Sequence, residues 1–559
     1  MIISFINHHL NRMLLLSVGL TLSSNFSNFA SAQGDAATVD AFDSNYVNWF
    51  NRNAQQDKIQ GVGVDRAYTE LLATRQPKKK IVVAVIDSGL DIEHEDLAGR
   101  IWTNTKEIPG NGIDDDNNGY VDDVHGWSFL GNAQGENIRY ETYEYVRIYR
   151  KLAPVYERYH SPEEVPADKR AEYATYLRCK KNYEKEIAEQ QKTRENLARF
   201  EEVLNACETV VGHYLGKEEF TVADIRAIST RDQTVMRARG WLLSRYDMGF
   251  EKESLQKYKE RTENSLEKQL NLAYNPRTIL GDNYEDINDT AYGNNDVTGP
   301  RSDHGTPVAG IIGGVRNNNV GINGIAEHVE IMALRAVPEG DEYDKDIALA
   351  IRYAVDNGAN IINMSFGKEF SPHKKYVDEA IKHAEANNVL MVHAAGNSSY
   401  NIDEIVHYPT RNCDDGNTVK SWLEVGASSM HSDKKMTAEF TNYGKQSVDL
   451  FAPGVDIVSL APGNKYSKVD GTSFSSPVVS GVAALVWSYY PELTAVELKD
   501  VLVNSCSNYG KQKVYLPGRE SSKKKKTKFS NLSRTGGIVN AYEALKMAEK
   551  VANEKARGA

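Results

Sequence analysis

Gly471-Thr472-Ser473-Phe474-Ser475-Ser476-Pro477 opens the apolar run 478–490, and its reading decides the fold. Small residues and a proline come first, then Val482, Leu485, Val486 and Tyr489 at helical spacing. The pattern predicts a tight turn feeding a helix. A serine there has an exposed hydroxyl, and its N–H is among the donors that a helix start leaves free. That suits a nucleophile whose oxyanion needs donors close by. Taken alone, the segment is more economically an ordinary Ser/Thr helix cap. Two further stretches change the balance. Residues 81–88 (IVVAVIDS) form a β-branched run ending in Asp87, and Asp303-His304-Gly305-Thr306-Pro307 places a histidine at another helix start. Asp, His and Ser, each at the edge of a regular element, are the parts of an activated serine.

These residues resemble the subtilisin-like serine peptidases, the subtilase family. Asp-Ser-Gly, His-Gly-Thr and Gly-Thr-Ser-x-Ser-x-Pro stand here in the family's order Asp, His, Ser, and Ala394-Ala395-Gly396-Asn397 is a fourth match. The resemblance spans residues 60–130 and 280–550 but not the segment between. It implies a triad of Asp87, His304 and Ser473, with the Asn397 amide completing an oxyanion hole. Substrate is expected as an added strand beside Ser365, Phe366 and Gly367, with Gly396 close to the reacting carbonyl. The resemblance also implies a structural calcium at Asp96, shared with the loop 317–321. Asp341, Glu342, Asp344 and Asp346 fall where the family has a substrate-facing loop and hint at a taste for basic residues.

The fold class follows from alternation. Strand 81–86 is apolar on both faces, as in a parallel sheet covered on both sides. Strands at 329–337, 361–365, 389–395, 422–426 and 448–452 alternate with helices at 306–315, 346–357, 494–504 and 540–554. The expectation is an α/β, doubly wound, mostly parallel sheet with an inserted all-α segment.

Domain organisation is read from composition. Residues 1–32 resemble a secretory signal, with Arg12 before the apolar run 13–22 and Ala30-Ser31-Ala32 as cleavage site. Ten apolar residues are too few to span a bilayer, so an exported, periplasmic or extracellular chain without a membrane span is expected. An amino-terminal segment covers 33–75, the peptidase fold 76–131 and 281–550, and a tail 551–559. Residues 132–280 are rich in Tyr, Lys, Arg and Glu with little glycine, and are read as a helical insertion packed on itself, since no strict heptad persists, with a surface for a partner protein as the competing reading. The net charge of −11 argues against nucleic acid as a partner. Four cysteines are too few for a disulfide framework. Cys179 and Cys207 could staple a helical hairpin, or stay unpaired. Residues 519–528 (RESSKKKKTK) are expected as an exposed loop.

The stretch 110–123 (GNGIDDDNNGYVDD) places Asp114, Asp116 and Asn118 at alternate positions, then Gly119 and Asp122, as in a calcium loop. His125 stands where that pattern ends on a glutamate. A solvated acidic turn is the competing reading. No organic cofactor is expected. Two other functions compete with the endopeptidase reading. A catalytically impaired scaffold working through its helical insertion would not need the intact Asp87, His304, Ser473 and Asn397. A serine esterase would carry Gly-x-Ser-x-Gly with histidine last in the chain, which this order contradicts.

Overall fold

The computed structural model describes residues 36–518 and 525–558. The expected signal segment 1–32 lies outside them. The described residues divide into two compact units, one Tyr145–Tyr274, the other running up to Glu144 and resuming at Asn275.

In the larger unit, β1 (Ile81–Asp87) is buried at all but one position, and its alternation explains the layers. Ile81, Val83 and Val85 face one core with Val308, Ile312, Val478 and Val482. Ala84 and Ile86 face the opposite core with Ile347, Ile351 and Ile381. A strand apolar on both faces needs helices on both sides. On the first side these are α1 (Gly305–Gly313), α4 (Thr472–Tyr489), α5 (Ala495–Asn504) and α6 (Ala541–Gly558). On the second they are α2 (Asp344–Asp356) and α3 (Lys374–Ala386).

The other strands are β2 (Gly126–Ser128), β3 (Val329–Arg335), β4 (Ile361–Met364), β5 (Leu390–Ala394), β6 (Trp422–Ser428) and β7 (Leu450–Pro453). After them come the hairpin β8 (Ile457–Ala461) and β9 (Lys465–Val469), then β10 (Ser507–Asn508), β11 (Lys513–Tyr515), β12 (Lys526–Lys528) and β13 (Gly537–Ile538). Nine of them form one sheet in the order β10-β13-β7-β6-β5-β4-β1-β3-β2. Only β10 runs antiparallel in it. β3 and β4 pair with β1 from opposite sides, so the winding reverses there. Such a reversal opens a crevice at the carboxyl ends of the strands, where Asp87 sits.

Several boundaries differ from the sequence reading. Trp49 and Phe50 are fully buried in the first core, so the segment before residue 76 belongs to the fold. Of the expected insertion 132–280, residues 132–144 and 275–280 belong to the larger unit, where Ile138 and Leu280 enter the second core and Tyr140 bridges Glu339. The expected tail 551–559 continues α6 to Gly558. Of the expected exposed loop, Lys526–Lys528 pairs with Lys513–Tyr515.

The smaller unit is all helix. Arg170–Leu215 is one continuous helix, whose later half packs Leu197, Phe200, Leu204 and Cys207 against Ile225, Val235, Ala238, Leu242 and Leu255. Its earlier half carries Tyr173, Tyr176 and Tyr183, stacked with Tyr149 and Tyr156. Cys179 and Cys207 lie on this single helix, about 42 Å apart at 1.5 Å per residue. A disulfide between them is excluded by that length.

Two outcomes follow from this packing. Phe50→Ala lowers the unfolding free energy by about 3–5 kcal/mol, the cost of emptying a buried aromatic site; a denaturation midpoint unchanged in urea would place the segment outside the core. Burial pushes the Cys207 thiol up to about 12, so iodoacetamide at mildly alkaline pH leaves it unmodified in native protein and alkylates it after denaturation, as read by mass spectrometry.

Candidate active site

Asp87 ends β1 and is nearly fully buried. Its Oδ1 accepts from the Ser88 N–H at 2.7 Å and from His304 Nδ1, also at 2.7 Å. A carboxylate partner places the ring proton on Nδ1 and leaves Nε2 as the basic nitrogen. His304 stands immediately before α1. The next residue has to be glycine, since a Cβ on Gly305 would lie 2.2 Å from the Gly89 carbonyl oxygen. This close approach of helix to strand end brings imidazole and carboxylate together.

Ser473 is in the first turn of α4. Pro477, four residues on, has no N–H to give to the Ser473 carbonyl. The Ser365 hydroxyl supplies that donor at 2.8 Å, and the Ser473 hydroxyl in return donates to the Ser365 carbonyl at 3.0 Å. Ser365 Oγ also meets Ser476 Oγ at 2.9 Å and accepts from Asn363 Nδ2 at 2.9 Å. Ser480 closes the network on Asn363 Oδ1. The helix start is therefore fastened to the end of β4 by its small polar residues. The His304 ring packs on Phe474 with centroids 5.4 Å apart. Among the described residues, the Ser473 hydroxyl bonds Ser365 and not the ring.

Asn397 follows β5. Its Oδ1 accepts from the Thr472 N–H at 2.9 Å and from Thr472 Oγ1 at 3.0 Å, while Gly396 N–H donates to the same Thr472 hydroxyl. With the oxygen so engaged, the Asn397 amide N–H groups turn toward Gly471. A Cβ on Gly471 would lie 3.6 Å from both Asn397 Nδ2 and Ser473 N. Two donors thus flank one glycine at a helix start, a place suited to an oxyanion. Thr472 orients this amide; the sequence reading missed it, although it lies within the opening motif.

Ser365, Phe366 and Gly367 continue β4 along the crevice. Phe366 O accepts from His393 Nε2 at 2.8 Å, and Lys368 bridges Tyr408. A Cβ on Gly367 would meet His407 Cε1 at 2.2 Å, and one on Gly396 would meet His407 Nε2 at 3.1 Å. His407 therefore fills the space between the two glycines. Burial and the nearby His393 push its ring down to about 3, so it is neutral.

The acidic loop does not face substrate. Glu342, Asp344 and Asp346 are buried. Asp344 pairs with Lys368 and accepts from Ser371 and His373. Asp346 pairs with Arg277 and Tyr292, and Asp341 accepts from the Glu144 N–H. These internal partners remove the hinted preference for basic residues.

The proposed metal ligands separate into three groups. Asp96 Oδ1 accepts from Asn318 Nδ2 at 2.8 Å and Oδ2 from the Ile322 N–H at 2.9 Å. The Asn318 oxygen is tied to Val320 N–H, so an N–H and not an oxygen faces the carboxylate. These residues do not fit a cation, which corrects the expectation of calcium at Asp96. Asp122 accepts from the N–H groups of Gly110, Asn111 and Gly112 and lies outside the carboxylates that converge. Asn118 donates to Asp123 and accepts from the Tyr120 N–H. Asp114 and Asp116 instead converge with Glu107, one carboxylate oxygen from each lying within 4.8 Å of the others. Glu107 Oε2 is buried with no hydrogen-bond partner among the described residues. Calcium ligands at about 2.4 Å span about that distance across the ion, so this trio fits. Glu107 lay outside the motif window and gave no sequence signal.

A model of the subtilase family matches residues 78–535. Alkaline elastase YaB from Bacillus sp. (strain YaB) is 35% identical over 208 residues, 37% of this chain and 50% of that protein. The thermophilic serine proteinase of Bacillus sp. (strain AK1) is 40% identical over 189 residues, 34% of this chain and 43% of that protein. The chain thus spans about half the length of these relatives. Among solved structures, a chain from the subtilase cytotoxin SubAB is 26% identical with a TM-score of 0.38, covering 46% of this chain and 79% of that one. By the extent of the family match, this chain belongs to the subtilase family.

Proposed function

We propose that the protein is an exported serine endopeptidase in which Asp87, His304 and Ser473 form the triad. The observation that carries this reading is the 2.7 Å bond between Asp87 and His304 Nδ1. It holds the tautomer whose Nε2 is a base, on a ring lying against the neighbour of Ser473. Attack needs one rotation of the Ser473 side chain, from the Ser365 carbonyl to Nε2; catalytic hydrogen bonds commonly tighten only with substrate. The hydroxyl then loses its proton to His304 as its oxygen bonds the peptide carbonyl carbon. Asp87 stays ionised and stabilises the imidazolium, which passes the proton to the leaving amine. Water repeats the sequence on the acyl ester. The oxyanion is held by Ser473 N–H and Asn397 Nδ2 beside Gly471. Substrate lies along Ser365, Phe366 and Gly367 as an added strand, next to Gly396.

Calcium at Glu107, Asp114 and Asp116 is part of the same proposal. Bound there, the ion supplies positive charge to carboxylates that otherwise repel one another. No helix of the described residues is long and apolar enough to cross a membrane, and export rests on residues 1–32.

A fluorophosphonate probe and casein hydrolysis test the triad. Ser473→Ala abolishes both. Asn397→Ala keeps labelling measurable and lowers turnover by about 10²–10³, a magnitude taken from subtilisin, itself a relative and not an independent forecast. Labelling that survives Ser473→Ala sinks the proposal. A calcium chelator lowers the melting temperature, and calcium at a hundredfold excess over Kd restores it by adding about 2.7 kcal/mol to the unfolding free energy; Glu107→Gln removes the difference. A melting curve indifferent to the chelator rules out the calcium trio.

A further inference from the structure

We infer that His393, Glu424 and His407 form a binding site for a divalent transition-metal ion of the zinc class, beneath the Phe366–Gly367 segment. One ligand atom from each of the three lies within 4.8 Å of the others. Nitrogen and oxygen atoms around tetrahedral zinc lie about 3.4 Å apart at bond lengths near 2.0–2.1 Å. His393 and Glu424, 2.9 Å apart, therefore have to open by about 0.5 Å, and His407 has to close by little more than about 1 Å. Two histidines and a glutamate are a known zinc set with a further position left open.

Their surroundings match what a metal requires of its supporting groups. A ligating histidine usually gives its second N–H to a backbone carbonyl, and a ligating carboxylate is itself hydrogen-bonded. His393 Nε2 already faces the Phe366 carbonyl at 2.8 Å, leaving Nδ1 directed at Glu424 Oε1, 2.9 Å away. Glu424 Oε2 accepts from Trp422 Nε1 at 2.9 Å. His393 and Glu424 project from neighbouring parallel strands, paired in register at those two residues. Their orientation is thus set by the sheet.

His407 completes the set. Its Nδ1 is shut off from solvent and has no hydrogen-bond partner among the described residues. A buried ring nitrogen without a partner forgoes a hydrogen bond, and a metal ion would recover the loss. The ring centroid lies 5.8 Å from that of His393, and the residue as a whole is only half-buried, which gives an ion a route in.

The bland alternative is a buried His–Glu pair with a bystander ring. Both nitrogens of His393 face acceptors, so the pair holds one shared proton between Nδ1 and the carboxylate. Metal entry displaces that proton to solvent, one for each ion bound, and His393 keeps its bond to Phe366. The ion would tie β5, β6 and the loop at 407 together directly behind the strand on which substrate is proposed to lie.

Cobalt is the probe. The full-length Ser473→Ala protein, which cannot digest itself, is titrated with Co2+ in excess calcium, so that all-oxygen sites are occupied. The expected result is a saturable visible absorption of four-coordinate cobalt, reversed by Zn2+. His407→Ala and His407→Gln each weaken it by at least about tenfold, while His383→Ala, on the exposed face of α3, leaves it unchanged. Circular dichroism establishes that the variants fold. Absence of saturable absorption at about millimolar Co2+, or equal affinity in a folded His407 variant, overturns the inference.

Discussion

A missing hydrogen bond organises the catalytic edge. Pro477 cannot donate to Ser473 O, and the vacancy is filled from outside the helix by Ser365 Oγ. The same pair of serines is bonded in the other direction by the Ser473 hydroxyl. Two elements far apart in the chain are thus held at a fixed separation by a defect in one of them. The surrounding serines, Ser475 on Ala452 O and Ser480 on Asn363, repeat the fastening along the helix. A helix this apolar would pack on the sheet anyway; the polar contacts decide its register, and register places Ser473.

Charge plays a comparable part on the other face. Arg277 lies between Asp282 and Asp346, Lys345 reaches Asp282, and Lys368 reaches Glu144 and Asp344, all nearly without exposure. Losing one member of such a pair costs about 3–5 kcal/mol, because the other is left buried and unpaired. Arg335 is different. Opposite Asp87 in the sheet, it gives its donors to neutral oxygens of Ser88, Ser128, Leu130, Asn137 and Ile138. Burial draws it down to about 10. It gathers the loops that wall the carboxylate, so the geometry at Asp87 is set by a cation that never touches it.

Asp87, His304, Ser473 and Asn397 were legible because each sits where a short local pattern ends: an apolar run, a helix start, a strand followed by glycine. Strand edges were legible for the same reason, and β1, β3, β5 and α5 fall within one or two residues of expectation. What stayed hidden depends on pairing across the chain. Glu107 joins Asp114 and Asp116 only through the folded loop, and Asn118 and Asp122 look like ligands until their backbone partners are seen. His393, His407 and Glu424 carry no motif. The acidic run at 341–346 reads as substrate-facing because Arg277 and Lys368, which neutralise it, lie in other segments. The hairpin β8–β9 went unread although Pro462-Gly463 marks its turn, because the apolar run before it is short and the run after it is polar. Cys179 and Cys207 suggested a hairpin where there is one rod, since helical periodicity does not reveal where a long helix bends back.

Trp49 and Phe50 have a consequence for where the chain can be cut. A cut in the amino-terminal segment must leave behind a core that is still closed, yet these two aromatics are enclosed by the same residues that support α1 and α4. The indole N–H of Trp49 also holds the Asp456 carbonyl. Trimming the chain beyond this pair would strip the hydrophobic floor from the finished molecule. Cleavage that leaves the fold closed is therefore confined to the polypeptide upstream of Trp49.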